Sequence, residues 1–350
     1  MTTTAPVRHE TAPSSAPTRR PAAAALPGLA AVLGLSAAAT AIGTRAPLLG
    51  APVAGILLGV ALSGLARRRP ALAPGLRLAT GFLLQLAVVV LGTQLSLGEV
   101  ARVGVSSLPV MLGTLAACLA VAQLLGRRLG IDADLRTLIG VGTGICGASA
   151  IAAVSPVIRA RSASVAYAIS TIFCFNIAAV LLFPPLGHLL GLGQDAFGLF
   201  AGTAVNDTSS VVAAATTYGP RAGEHAVVVK LVRTLMIIPV TMALGALAAR
   251  RTTTPGPRPA LPARIVRLVP WFLLAFLAAA AANSLGAIPA AALPPLRGLS
   301  VLLVTAALTA IGLSTDVAAL RRAGTRPLLL GGVLWLVVSA TSLLLQWAAG

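Results

Sequence analysis

Charge is scarce in this chain. Only 10% of its 350 residues are Asp, Glu, Lys or Arg, against about 25% in a soluble globular protein. Asp and Glu together number 8. Such a chain cannot wrap one core in a water-facing surface. Aromatics make up 4%, and the arginines fall in short clusters between apolar runs, so the net charge of +18 does not describe a nucleic-acid surface. The 3 cysteines, Cys118, Cys146 and Cys174, lie inside apolar runs without CxxC or His-paired spacing. The 3 histidines, His9, His188 and His225, are too scattered for a metal site. No metal or cofactor is expected. P-loop, HExxH, GxSxG and Rossmann signatures are missing too. ATP-driven transport and enzymatic chemistry are therefore not expected.

What the chain has is apolar length. It is 57% hydrophobic, with a mean hydropathy of +0.94. Runs of about 18 or more apolar residues read as transmembrane helices. Eleven such segments are predicted, at 26–44, 47–66, 76–98, 105–126, 137–158, 163–191, 196–218, 225–249, 266–286, 295–315 and 327–348. The fold class is all-α, a polytopic membrane protein with the lipid bilayer as its main partner. Residues 1–25, rich in Thr, Ala, Pro and Ser, form a solvated tail. Residues 26–350 form the transmembrane domain, with a Pro- and Arg-rich linker at 250–264.

Basic residues set the orientation. With the N-terminus in the cytoplasm, fifteen arginines fall in inside loops and six outside, namely Arg45, Arg102, Arg159, Arg161, Arg221 and Arg297. The chain is then expected to be a multi-pass membrane protein with a cytoplasmic N-terminus.

The stretch Gly140–Pro156, GVGTGICGASAIAAVSP, is apolar but too rich in Gly, Ser and Thr for an ordinary span. It is echoed sixty residues later, where GTGICGASAIAA (142–153) lies over GTAVNDTSSVVA (202–213). Paired, Gly-interrupted apolar segments point to a transporter site built from broken helices. One span lies between them, so simple counting makes them parallel; either one of them does not fully cross, or the match reflects similar local chemistry and not shared ancestry. A second echo, at an offset of 218, matches Leu95-Ser96, Pro109 and Gly113 with Leu313-Ser314, Pro327 and Gly331. It joins segments 3–4 to segments 10–11 in opposite orientations, with each proline expected to start a helix. Gly55 and Gly59 have the GxxxG spacing of close helix packing.

The candidate site residues follow from these breaks. Asp207 is the only carboxylate in the middle of a span, and a charge at that depth marks function by default. Its neighbours Asn206, Ser209 and Ser210 are polar, and on a helix Thr203, Asp207 and Ser210 would share a face. Lys230 and Arg233 share another face in VVVKLVRTLMIIPV. One of them is expected to neutralise Asp207, since buried charges are paired, and the other to favour an anion. Lys230 could instead snorkel to the interface. Gly142, Thr143, Gly144, Gly147 and Ser149 would offer free N–H groups and hydroxyls where a helix breaks. Close packing of small residues is the plainer reading of that stretch. Asn176 is expected to join helices or line the same cavity.

The strings LGTQLSLGEV (91–100), GTGICGASAIAAVSPVI (142–158), FAGTAVNDTSSVVAA (200–214) and AVVVKLVRTLMIIPV (226–240) resemble the YeiH-like sulfate exporter family of bacterial inner-membrane proteins. The resemblance runs from about Leu49 to the C-terminus. It implies a transporter of ten to eleven spans, with inverted repeats and broken helices similar to the bile-acid/sodium symporter and sodium/proton antiporter folds. The function expected is secondary transport of sulfate or a related small anion or sulfonate, coupled to H+ or Na+. An anion channel or a ligand-binding membrane receptor is the alternative. Homo-oligomers are compatible with either.

Overall fold

The computed structural model describes residues 21–45, 50–249, 270–315 and 325–349. The 250–264 linker and nearly all of the expected tail lie outside the described residues, although the first helix already begins at Pro21. Every regular element described is a helix. An apolar chain has little alternative in hydrocarbon, because a helix pairs its own amides where no water can.

The chain opens with α1 (Pro21–Arg45), α2 (Gly50–Arg67), α3 (Pro70–Gly92) and α4 (Leu97–Arg128). The glycine-rich part follows as α5 (Ala133–Gly144) and α6 (Ala148–Val154), then α7 (Ser162–Leu189). The pair α8 (Gln194–Ala204) and α9 (Thr208–Tyr218) comes next, then α10 (Pro220–Leu235) running on into α11 (Ile237–Ala249). The described chain closes with α12 (Trp271–Ser284), α13 (Leu293–Ser314) and α14 (Thr325–Ala348). Seven helical stretches are long and apolar enough to cross a membrane, and two shorter apolar helices, at Ala51–Arg67 and Trp271–Ser284, accompany them. The four short helices α5, α6, α8 and α9 are not among them.

Those four form two helical hairpins. At the first, Arg161 pairs with Asp132, so the chain leaves α6 where it entered α5. Ile151 on α6 packs back against Gly142 on α5. At the second, the Tyr218 hydroxyl donates to the Leu192 carbonyl, and its ring stacks on Phe197 with centroids 3.8 Å apart. Arg221 pairs with Asp195 at 2.8 Å. Each hairpin therefore enters and leaves on one face.

The two faces are opposite. Helix α7 starts beside the ends of the first hairpin and finishes beside the ends of the second, where His188 stacks on Tyr218. Its 28 residues at about 1.5 Å each span roughly 42 Å, enough for a bilayer core of about 30 Å.

This resolves the parity expected from the sequence. Of the eleven apolar segments, the fifth and seventh fold back, and the hairpin repeats upside down with one helix, α7, between the copies. The sixty-residue echo marks two inverted hairpins, not two parallel spans. Arg159 and Arg161 consequently share a face with Arg127, Arg128 and Arg136, the basic face, and not the opposite one expected by counting.

The second echo holds in direction but not in detail. Helices α3 and α13 run antiparallel, with Gln94 donating to the Leu293 carbonyl and Ser300 to the Ala87 carbonyl. Helices α4 and α14 do likewise, Gly113 meeting Leu345 and Gly130 meeting Arg326. Pro109, however, sits inside α4, because Ser96 and Glu99 start that helix earlier with a capping box. The GxxxG of α2 is a true contact. A Cβ at Gly59 would lie 2.5 Å from the Thr309 carbonyl oxygen and 2.8 Å from the Gly312 Cα.

Three apolar clusters hold the described helices together. One apolar cluster surrounds the hairpins with α4, α7, α10, α11 and α14. A second joins α7, α9 and α10 to α2, α3, α12 and α13, and a third joins α1 to α2, α3 and α13.

Candidate functional site

The two hairpin tips meet in the middle of the molecule. The first tip is Ile145–Gly147 and the second is Val205–Asp207, each the break between two short helices. Gly147 has φ +68° and ψ −130°, a conformation that other residues adopt only with strain. A Cβ there would lie 3.4 Å from that of Asp207 and 3.6 Å from the Asn206 carbonyl oxygen.

A broken helix leaves carbonyls without intrahelical partners, and buried ones must find others. At the end of α5 the accounting closes. The Val141 carbonyl accepts from Ile145 N–H at 3.0 Å and that of Gly142 from Gly147 N–H at 2.9 Å. Arg233 takes the next two, Nη2 donating to Thr143 O at 3.1 Å and Nε to Gly144 O at 2.8 Å. Lys230 Nζ takes Ile145 O at 2.8 Å. The end of α8 is met by the same two side chains. Arg233 Nη1 donates to the Thr203 carbonyl and, at 3.5 Å, to that of Gly202. Lys230 Nζ donates to Val205 O at 2.9 Å.

Both cations have 0% exposure. They stand on α10, which runs parallel to α8, His225 abutting Gly198 and Val229 abutting Gly202 one turn deeper. Placing positive charge against two helix C-termini also suits the helix dipoles. The charge pattern of the sequence predicts that one of these cations neutralises Asp207 and the other favours an anion. The described ion pairs do not include Asp207, and both cations face carbonyls. Lys230 does not snorkel, because it bridges the two breaks from within.

Asp207 is not on a helical face with Thr203 and Ser210 either. It is the N-cap of α9, its Oδ2 accepting from Ser209 N–H at 3.0 Å and from the Ser209 hydroxyl. Thr203 lies across the break at the end of α8, its hydroxyl 2.7 Å from that of Ser342 on α14. Asn176 on α7 holds the second tip, Oδ1 accepting from Asn206 and Asp207 N–H at 3.2 Å each. Of its two expected roles, joining helices is the one this geometry fulfils.

What remains open at the tips is small and polar. Asp207 and Thr208 are half-buried, and Ser149 is exposed. The Ser149 hydroxyl donates to the Cys146 carbonyl at 2.9 Å. Helix α6 begins without a side-chain cap. Gly142, Thr143, Gly144, Gly147, Asn206, Ser209 and Ser210 are buried within the tips and shape them. The Asn206 Oδ1 is buried without a hydrogen-bond partner among the described residues. Composition alone did not give the part played by Ile145 and Val205, whose contribution is a backbone carbonyl.

The family described as conserved hypothetical protein 698 matches residues 27–331. A UPF0324 membrane protein of Streptococcus pyogenes serotype M3 is 41% identical over 331 residues, covering 93% of this chain and 97% of the relative. One from Streptococcus agalactiae serotype V is 39% identical over 332 residues, covering 93% and 98%. One from Streptococcus pneumoniae is 41% identical over 331 residues, covering 92% and 97%.

Proposed function

The chain belongs to the family of conserved hypothetical protein 698, the same family as the YeiH-like proteins, and we propose that this membrane protein is a secondary transporter of a small anion. The observation that carries the reading is the meeting of two oppositely entering hairpins at one half-buried acid, Asp207, with two buried cations behind it. Each hairpin tip is reached from one face only, so a solute held between the tips is midway between the two sides.

Charge supports the choice of solute. Each half-helix end carries roughly half a charge, positive at N-termini and negative at C-termini. The ends of the four short helices cancel. Lys230, Arg233 and Asp207 then leave one net positive charge, which favours an anion such as sulfate or a sulfonate. A proton on Asp207 raises it to two and favours the anion further. Proton and anion therefore bind together, and their movements are coupled in the same direction. Ser149 and Thr208 supply hydroxyls beside the acid.

Orientation follows from the arginines. With Arg159 and Arg161 added to the basic face, the charge bias grows, and that face is the cytoplasmic one. The N-terminus lies on the same side, in the cell membrane.

The test is uptake by proteoliposomes with sulfate, sulfite, taurine and carboxylates under imposed pH and sodium gradients. Uphill accumulation of one anion, driven by a proton gradient and lost in Asp207→Asn, supports the reading. Gradient-independent flux would instead mark a channel. Unaltered pH-driven uptake in Asp207→Asn would remove the acid from the mechanism.

A further inference from the structure

We infer that Lys230 occupies, from within the chain, the cation position that the two helix breaks would otherwise offer to a small monovalent ion, so that this protein has no sodium site at its centre. Lys230 is the only lysine among 26 basic residues. Its Nζ is fully buried and held by two backbone carbonyls, Ile145 O at 2.8 Å and Val205 O at 2.9 Å. One carbonyl comes from each hairpin, both from the residue that ends a half-helix. Carbonyl oxygens at the negative ends of helices are the ligands an alkali cation takes where transmembrane helices unwind. Here an ammonium stands among them instead.

Two further acceptors stand at the second tip beside this point. The buried Asn206 Oδ1, next in the chain to Val205, lacks a donor among the described residues. Asp207, the other acceptor, follows Asn206 at the same tip. Arg233, one turn further along α10, already satisfies the neighbouring carbonyls of Thr143, Gly144, Gly202 and Thr203. A mobile ion would have to displace a tethered one that loses no translational freedom by binding. The coupling ion must then act elsewhere, which leaves the proton on Asp207. Only that last step rests on the transport reading, because cation binding can be measured without transport.

The experiment uses the purified full chain in detergent. Thermal unfolding is followed in sodium chloride and in choline chloride at equal ionic strength, for the wild type and for Lys230→Ala. Ethylammonium chloride is the third salt, replacing the lost amine. The wild type is expected to unfold at the same temperature in all three. Lys230→Ala is expected to unfold earlier in choline and to recover in ethylammonium or sodium, by about 2 °C at roughly tenfold the dissociation constant. A folded Lys230→Ala protein that recovers in neither salt would overturn the inference. Radioactive sodium binding to the wild type decides the matter if that variant does not fold. Saturable binding contradicts the inference, and its absence supports it.

Discussion

Replacing Arg233 by methionine keeps most of the side-chain volume and removes the guanidinium. Carbonyls of Thr143, Gly144, Gly202 and Thr203 then lose their donor inside the protein. Each unsatisfied buried acceptor costs about 1–3 kcal/mol. Against that, burying the charge in the wild type carried a desolvation penalty of several kcal/mol that the variant avoids. The net cost of removing one partner from a buried charged network is about 3–5 kcal/mol. At about 2.1 cal/mol/K per residue, unfolding of a chain this long shifts by roughly 1.4 °C per kcal/mol. Arg233→Met is therefore expected to unfold about 4–7 °C below the wild type, read by scanning fluorimetry in detergent. Arg233→Lys should fall between the two, keeping the charge but losing the planar fork. Arg221→Met is the control. It removes an exposed ion pair with Asp195, both side chains at least 49% exposed, and should move the midpoint little. If Arg233→Met unfolds with the wild type, or if Arg221→Met costs as much, the carbonyl-capping argument fails.

Other positions give further tests. Gly147→Ala forces a Cβ onto a strained backbone against Asp207 and should cost about 1–3 kcal/mol, visible as a lower unfolding temperature and slower uptake. Gly59→Val drives a side chain into the α13 backbone and should cost about 1–3 kcal/mol or more. Gly64→Ala, on the same helix with nothing within 4 Å of its new Cβ, should be neutral or stabilising by up to about 1 kcal/mol. The two α2 variants can be compared in one melting series.

Much of this architecture could be read from residue order. Low charge and apolar runs marked where the helices lie, and the string around Gly142 marked where they break. The direction of the chain through those runs was not legible. Hydropathy reports that 137–158 is apolar and span-sized, and a re-entrant hairpin meets that condition as well as a crossing does. What turns the chain back is local, namely the Gly147 backbone, the turn before Arg161 and the Arg161–Asp132 pair. The parity conflict between the two echoes was the only trace of this in the sequence. Lys230 and Arg233 were found from charge in an apolar run, but their partners were missed. A rule that pairs buried charges with opposite charges looks to Asp207. Two helix C-termini at one point supply more unsatisfied acceptors than one carboxylate, and backbone groups carry no residue signature.

The re-entrant hairpins are tested most directly by sidedness. Single cysteines at positions 132, 161, 194 and 221, in a background lacking Cys118, Cys146 and Cys174, are exposed to a membrane-impermeant maleimide from either side of oriented vesicles. Positions 132 and 161 should label together from the side of the basic face, and 194 and 221 together from the other. Labelling of 132 and 161 from opposite sides would show α5 and α6 to be one crossing, and the meeting of two inverted tips around Asp207 would not stand.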